Sequence, residues 1–178
     1  MTSSHFGSVK HLIKRFIFSF LPARKDRQAL EFTTLLNPKE LILFNAQSRV
    51  DKKHSYRNVQ KLFTLADAPL EPDIVIASAL HDIGKIESGF GIFGRVFATC
   101  VAAIAGLSRV DDWSRDRSGS IKHRIAVYVQ HPEIGAALLD EAESNKIAIA
   151  WARDHHKRLD ESTLEPSLFA TLSRADRV

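Results

Sequence analysis

His81-Asp82-Ile83-Gly84-Lys85 ends an apolar run, Ile74-Val75-Ile76-Ala77-Ser78-Ala79-Leu80, that has the composition of a buried helix. An imidazole and a carboxylate therefore arrive side by side where aliphatic side chains would otherwise continue into a core. On a helical wheel Ile74, Ser78, His81 and Asp82 share one face, because they differ by four, seven and eight positions. The five residues alone fit two readings. In the first they form a helix C-terminus, with His81 near the dipole's negative end, Gly84 as a left-handed cap and Lys85 in solvent. In the second, His81 and Asp82 are metal ligands, and the rest of the chain decides.

With 178 residues the chain is long enough for one domain with a sizeable core and too short for two comfortable ones. Its composition is neither disordered nor fibrous, and it shows no internal period. The single Cys100 forms no intramolecular disulfide, which points to a reducing, cytoplasmic setting. The net charge of +4 is placed unevenly: no acid precedes Asp26, whereas Lys10, Lys14, Arg15, Arg24 and Lys25 do. Between these bases Phe6, Val9, Leu12, Ile13, Phe16, Ile17 and Phe20 recur at three- and four-residue spacing. Residues 1–25 thus read as a basic amphipathic helical arm, suited to packing on the domain, to lying on an acidic membrane surface as a peripheral contact, or to targeting. Lys14 and Arg15 interrupt any apolar core of a secretory signal. Nucleic acid is disfavoured as a partner, because aromatic interleaving and a groove-reading motif are both missing.

Residues 26–178 read as a single all-α domain. Pro38 opens a short helix over 38–47, and Asp51 caps a helix to about 66 with His54 in its first turn. Pro72 starts the helix that delivers the motif. Residues 90–107 are the most apolar segment, but Arg95, Gly91, Gly94 and Gly106 weaken a membrane span. We expect an inserted, buried or half-buried helix there, with interfacial membrane contact as the alternative, followed by a polar loop over 111–120 that completes a 90–120 insert. Residues 121–130 form the next helix. Pro132 then begins another, with His131 at its N-cap, where the positive end of the dipole favours a neutral ring. After a cap at Ser144 or Asn145, Ile147, Trp151 and His155 fall four apart, as do Ala148, Ala152 and His156. Pro166 opens a last helix whose stripe of Leu168 and Leu172 ends in Asp176, a carboxylate that needs a partner there.

Collected, His54, His81, Asp82, His131, His155, His156 and Asp176 form a thiolate-free ligand set suited to Zn, Fe, Mn, Ni or Mg. Their order resembles the HD superfamily of metal-dependent phosphohydrolases: His54, His81-Asp82 and Asp176 fit its core signature, and His131 and His155 match the extra histidines of members with a second metal. The strings His131-Pro132-Glu133-Ile134-Gly135 and His155-His156 are similar to those of the HD-GYP branch. The resemblance runs over about 51–178, outside the insert. It implies a helical bundle in which His54, His81, Asp82 and Asp176 hold one divalent ion, with Asp82 bridging to a second held by His131 and His155. Two cations about 4 Å apart lower the pKa of a shared water and neutralise phosphoryl oxygens. The expected activity is therefore metal-dependent hydrolysis of a phosphoester in a nucleotide or other small phosphorylated compound. Asp82 is then catalytic as the bridge and Lys85 as a contact to a non-bridging phosphate oxygen. His156 serves as a third-metal ligand, a proton donor to the leaving group or a support for the other rings. The segment after His156, Lys157-Arg158-Leu159-Asp160, departs from the Gly-Tyr-Pro element of cyclic-di-GMP phosphodiesterases, so that substrate is not implied. The competing expectation is a non-catalytic, metal-stabilised HD signalling or scaffold domain that works through the arm and insert at a membrane.

Overall fold

Capping chemistry sets most of the helix boundaries in the computed structural model, which describes residues 31–177. The expectation for the arm, residues 1–25, lies outside the described residues. Among those described there are nine α-helices and no strand, so the fold is all-α. Helix α1 (Pro38–Ala46) opens on Asn37, whose side chain accepts from the Lys39 and Glu40 amides while Glu40 reaches back to the Asn37 amide. Helix α2 (Arg49–Leu65) is capped by Ser48, whose hydroxyl accepts from the Asp51 amide. Asp51 is therefore not the cap but a first-turn residue, and His54 lies beyond that turn. Helix α3 (Pro72–Leu80) has no side-chain cap and is held by burial instead, every residue from Val75 to Leu80 being inside.

Helices α4 (Ile92–Ala105), α5 (Leu107–Asp112) and α6 (Ile121–Val129, capped by Ser120) follow. Next come α7 (His131–Glu141), α8 (Lys146–Asp154, capped by Asn145) and α9 (Pro166–Asp176). The polar loop expected over 111–120 is shorter than its composition suggests. Helix α5 runs on to Asp112, and a 3-10 turn at Trp113–Arg115 continues it. Trp113 explains this, because its half-buried ring packs against the insert's apolar residues.

Two clusters make the core. The larger places α3 between α2 and α8, with α7 and α9 closing it around Leu62, Leu80, Ile83, Leu139, Trp151 and Leu172. This position accounts for the uninterrupted apolar run before the motif: a helix covered on all sides has no polar face. The smaller cluster, Ala98, Ala102, Val110, Ile125 and Ala126, joins α4 and α5 to α6. One buried ion pair ties the insert back to the main bundle. Both terminal nitrogens of Arg95 donate to the Asp51 carboxylate, the Nη2–Oδ2 contact at 2.7 Å, and its Nε donates to the Phe90 carbonyl at 3.0 Å. Burial pushes the Asp51 carboxyl up, but Arg95 and Lys85 together hold it below its ordinary value.

Candidate metal centre

At the end of α3 the chain tightens from an α-helix into a 3-10 segment, Ile83–Ser88. The residues at this junction, His81 and Asp82, are only 1% and 3% exposed. Gly84 is required in this segment, though not as a left-handed cap. That conformation belongs to Gly89, at φ 60°, which ends the 3-10 segment. A Cβ on Gly84 would lie 2.1 Å from the His131 carbonyl oxygen and 2.6 Å from the Gly135 amide nitrogen. The missing side chain lets the start of α7 press directly onto the motif, and His131 comes with it.

Other helices supply the remaining groups: α2 carries His54 beyond its first turn, α8 ends just before His155 and His156, and the last turn of α9 carries Asp176. The two oxygens of Asp82 face different neighbours. Oδ2 lies 3.4 Å from His54 Nε2 and 3.7 Å from His81 Nε2, and Asp176 Oδ1 closes that side at 3.1 Å from His54 and 3.3 Å from His81. Oδ1 lies 3.4 Å from His131 Nε2 and 3.5 Å from His155 Nε2. The six predicted ligands are thus brought together around one carboxylate. Ligand atoms within 4.8 Å of one another group His54 with His81 and Asp176, and His131 with His155 and His156.

The chemistry of the rings is fixed by their outer nitrogens. His81 Nδ1 faces the Ser78 carbonyl at 3.0 Å, His131 Nδ1 that of Tyr128 at 2.7 Å, and His155 Nδ1 that of Ala152 at 2.7 Å. A carbonyl can only accept, so each Nδ1 carries its proton, and in the neutral ring Nε2 is left as a lone pair. Those three Nε2 atoms and Asp82 Oδ1 are buried and satisfied by no hydrogen bond among the described residues; contacts of 3.4 and 3.5 Å lie at the outer edge of bonding range. Leaving several converging acceptors buried and unpaired costs about 1–3 kcal/mol each, unless a cation sits among them. The donor set therefore fits a metal ion, and these buried His and Asp clusters could hold one.

Protonation preferences agree with that fit. Burial pushes His131 down to about 4 and lowers His155, so both rings are neutral near pH 7 and free to ligate. For His81, burial pulls the other way from the Asp82 and Asp176 carboxylates, and the carboxylates win, raising it. Asp82 is held well below the carboxylate range: burial alone would raise it, but Lys85 and His81 outweigh burial. His131 reaches neutrality mainly through burial; it occupies the first position of α7, and Gln130 is the N-cap.

Lys85 is not the solvated helix end of the first reading. Its side chain is 11% exposed, and its Nζ is ion-paired with Asp82 Oδ2. His156 lies at the mouth of the centre: exposed as a residue, its ring sits 4.0 Å from that of His155 and 5.2 Å from that of His131. Three supports stand outside the predicted site residues. Asn58, one turn after His54 on α2, lies with its Nδ2 3.3 Å from both Asp176 Oδ1 and His54 Nε2, and the i, i+4 relation was the signal for it. The Trp151 ring lies 6.1 Å from His81 and 6.0 Å from His155. Asp154, wholly buried, accepts from Lys157 Nζ at 2.7 Å and from the Thr163 amide and hydroxyl at 2.7 and 2.8 Å. It thereby ties the segment after His156 to the end of α8.

No protein-family model, curated protein or solved structure matches this chain.

Proposed function

We propose that this protein is a metal-dependent phosphohydrolase of the HD superfamily, acting on a phosphoester of a nucleotide or another small phosphorylated compound. The observation that carries the reading is the division of Asp82. One oxygen faces His54 and His81, the other faces His131 and His155, and the buried Nε2 atoms of His81, His131 and His155 converge on it from both sides. A carboxylate so placed is suited to bridge two ions, with His54, His81 and Asp176 on one side and His131 and His155 on the other. Bound divalent ions would supply a water of lowered pKa and neutralise the phosphoryl oxygens, so that no nucleophilic side chain is required.

The chain's own groups account for the rest. Lys85, already at Asp82 Oδ2, is released from that pairing once the carboxylate is engaged elsewhere, and its ammonium is then within a side chain's reach of a phosphate oxygen. His156, at the edge of the centre, is kept neutral by desolvation of its ring and by the neighbouring His155 and His131 rings, which suits a further metal ligand or a support for those rings better than a proton donor. Asn58 and the three backbone carbonyls keep the ligands aimed.

The test is to load purified protein with Mn, Fe, Ni, Zn or Mg and measure both bound metal and turnover on a panel of nucleotides and phosphodiesters, beside Asp82→Ala. The expected result is metal-dependent turnover that disappears with Asp82. Turnover untouched by that substitution refutes the reading, and metal uptake with no turnover on any phosphoester moves the protein to a metal-stabilised scaffold.

A further inference from the structure

Helix α6 reaches the metal centre at two residues one turn apart. Tyr128 offers the carbonyl that holds His131, and Arg124 extends the other way, to the chain leaving Lys85. Arg124 Nε donates to the Ser88 carbonyl at 2.9 Å, its Nη2 donates to the Gly89 carbonyl at 2.6 Å, and its guanidinium carbon lies 4.3 Å from the centre of the Phe90 ring. One side chain thus engages the main chain or ring of each residue from Ser88 to Phe90. This is where the 3-10 segment ends, and the last carbonyls of a helix need donors from outside it. Ser88 carries the contact inward. It is buried, and its hydroxyl donates to the Lys85 carbonyl at 2.8 Å while accepting from the Phe90 amide at 3.3 Å. Helix α6 is itself anchored by Ile125 and Ala126 in the insert's core.

We propose that Arg124 is a positioning residue: through the Ser88 and Gly89 carbonyls it holds the segment that carries Lys85, and so aims the Lys85 ammonium at a phosphate oxygen. What Lys85 meets rests on the phosphohydrolase reading, whereas the clamp rests on the hydrogen bonds alone. A lysine side chain is long and flexible, so once it leaves Asp82 only its main chain limits where the ammonium can go. About 1 Å of misplacement can cost on the order of a hundredfold in rate. Arginine suits the task because its planar fork donates to both carbonyls at once, which the single ammonium of lysine does not match. The insert therefore bears on the centre without contributing a ligand: α4 and α5 pack on α6, and α6 sets the place of Lys85 relative to His131.

Hydrogen exchange on the metal-free full chain tests the clamp. Arg124→Met should raise exchange over residues 83–91 about tenfold or more, with α3 and α8 at the parent's rate. Ser88→Ala keeps the Arg124 bonds to the main chain, removes the hydroxyl link to Lys85, and should give a smaller rise in the same residues. With metal-loaded protein, calorimetry of inorganic phosphate and turnover on the substrate panel read Lys85 itself. Arg124→Met should weaken phosphate binding and lower kcat about tenfold with bound metal unchanged. Placed on Lys85→Met, the same substitution should change either by less than about twofold, whereas a merely structural role would add its full loss in both backgrounds. Exchange unmoved over 83–91, exchange raised throughout the chain by both variants, or a fully additive loss on Lys85→Met overturns the proposal. A parent that turns nothing over counts against the phosphohydrolase reading alone, because the exchange result still decides the clamp.

Discussion

Replacing Gly84 with alanine separates a contact-driven account of the motif from a cap-driven one. Gly84 does not adopt a positive φ, so alanine meets no backbone penalty. In open space the change would stabilise the protein by about 0.4–1 kcal/mol through the unfolded chain. Here the new Cβ falls 2.1 Å from the His131 carbonyl oxygen, more than an ångström inside the 3.4 Å at which such contacts become ordinary, and 2.6 Å from the Gly135 nitrogen. Both obstacles are backbone, so relief requires α7 to back away from the 3-10 segment. Overpacking of this kind costs about 3 kcal/mol, the upper part of the usual range, and reverses the expected sign. Gly135→Ala is the graded control. Its Cβ comes no nearer than 3.1 Å to Gly84 N and 3.5 Å to Ile83 Cγ2, so a loss of about 1 kcal/mol is expected. Urea denaturation followed by circular dichroism reads the stabilities. Metal titration reads the site, since His131 leaves with α7 and the Oδ1 side of Asp82 should weaken before the Oδ2 side. A Gly84→Ala protein as stable as its parent, or a costlier Gly135→Ala, refutes this reasoning.

Arg95→Met leaves Asp51 buried without its partner and should cost about 3–5 kcal/mol in denaturant unfolding, with Asp51→Asn added to it recovering part of the loss. Asp154 is held at about 2, because Lys157 and Thr163 outweigh the effect of burial. Its contribution is therefore complete above the ordinary value of 3.8 and lost as pH falls towards 2. Asp154→Asn should flatten the acid limb of a stability-versus-pH curve by roughly 1–2 kcal/mol, and an unchanged limb would reject the role. Chelation should lower the thermal midpoint of metal-loaded protein. Because His81 is raised above 6.5 and must give up its proton to ligate, metal affinity measured by calorimetry should climb with pH above that value, with proton release. A pH-independent affinity would mean that His81 stays out of the metal's coordination.

Most of the helices and the convergence at the metal centre were legible because several ligands sit beside a local signal that marks a helix end, whereas α5, which begins before the expected polar loop and runs into it, was not. Pro72 opens the helix that runs to His81, Pro132 follows His131, and Pro166 opens the one that runs to Asp176. The order of those ends along the chain carried the rest. Contacts that depend on distant partners were not legible. Asp51 looks like a cap in its own neighbourhood, yet Ser48 caps the helix, and the Asp51 carboxylate, which accepts from the Ser48 hydroxyl at 2.7 Å, also receives Arg95 from 44 residues downstream. Gly84 looks like a helix stop for the same reason, since the α7 backbone that requires it is invisible locally. His131 is neutral as its position suggests, though burial by packed neighbours does more than the dipole.

The carbonyls of Ser78, Tyr128 and Ala152 each lie three residues before the histidine they hold. Each ring is thus aimed by the last turn of its own chain segment, with no side-chain partner at Nδ1. Orientation is inherited from the path of the main chain, and no point substitution can delete it. A mutational scan around the centre would find the ligands, Asn58 and Asp154, yet pass over what steers the three rings. A designer moving this centre to another scaffold must therefore transplant helix ends rather than a set of side chains.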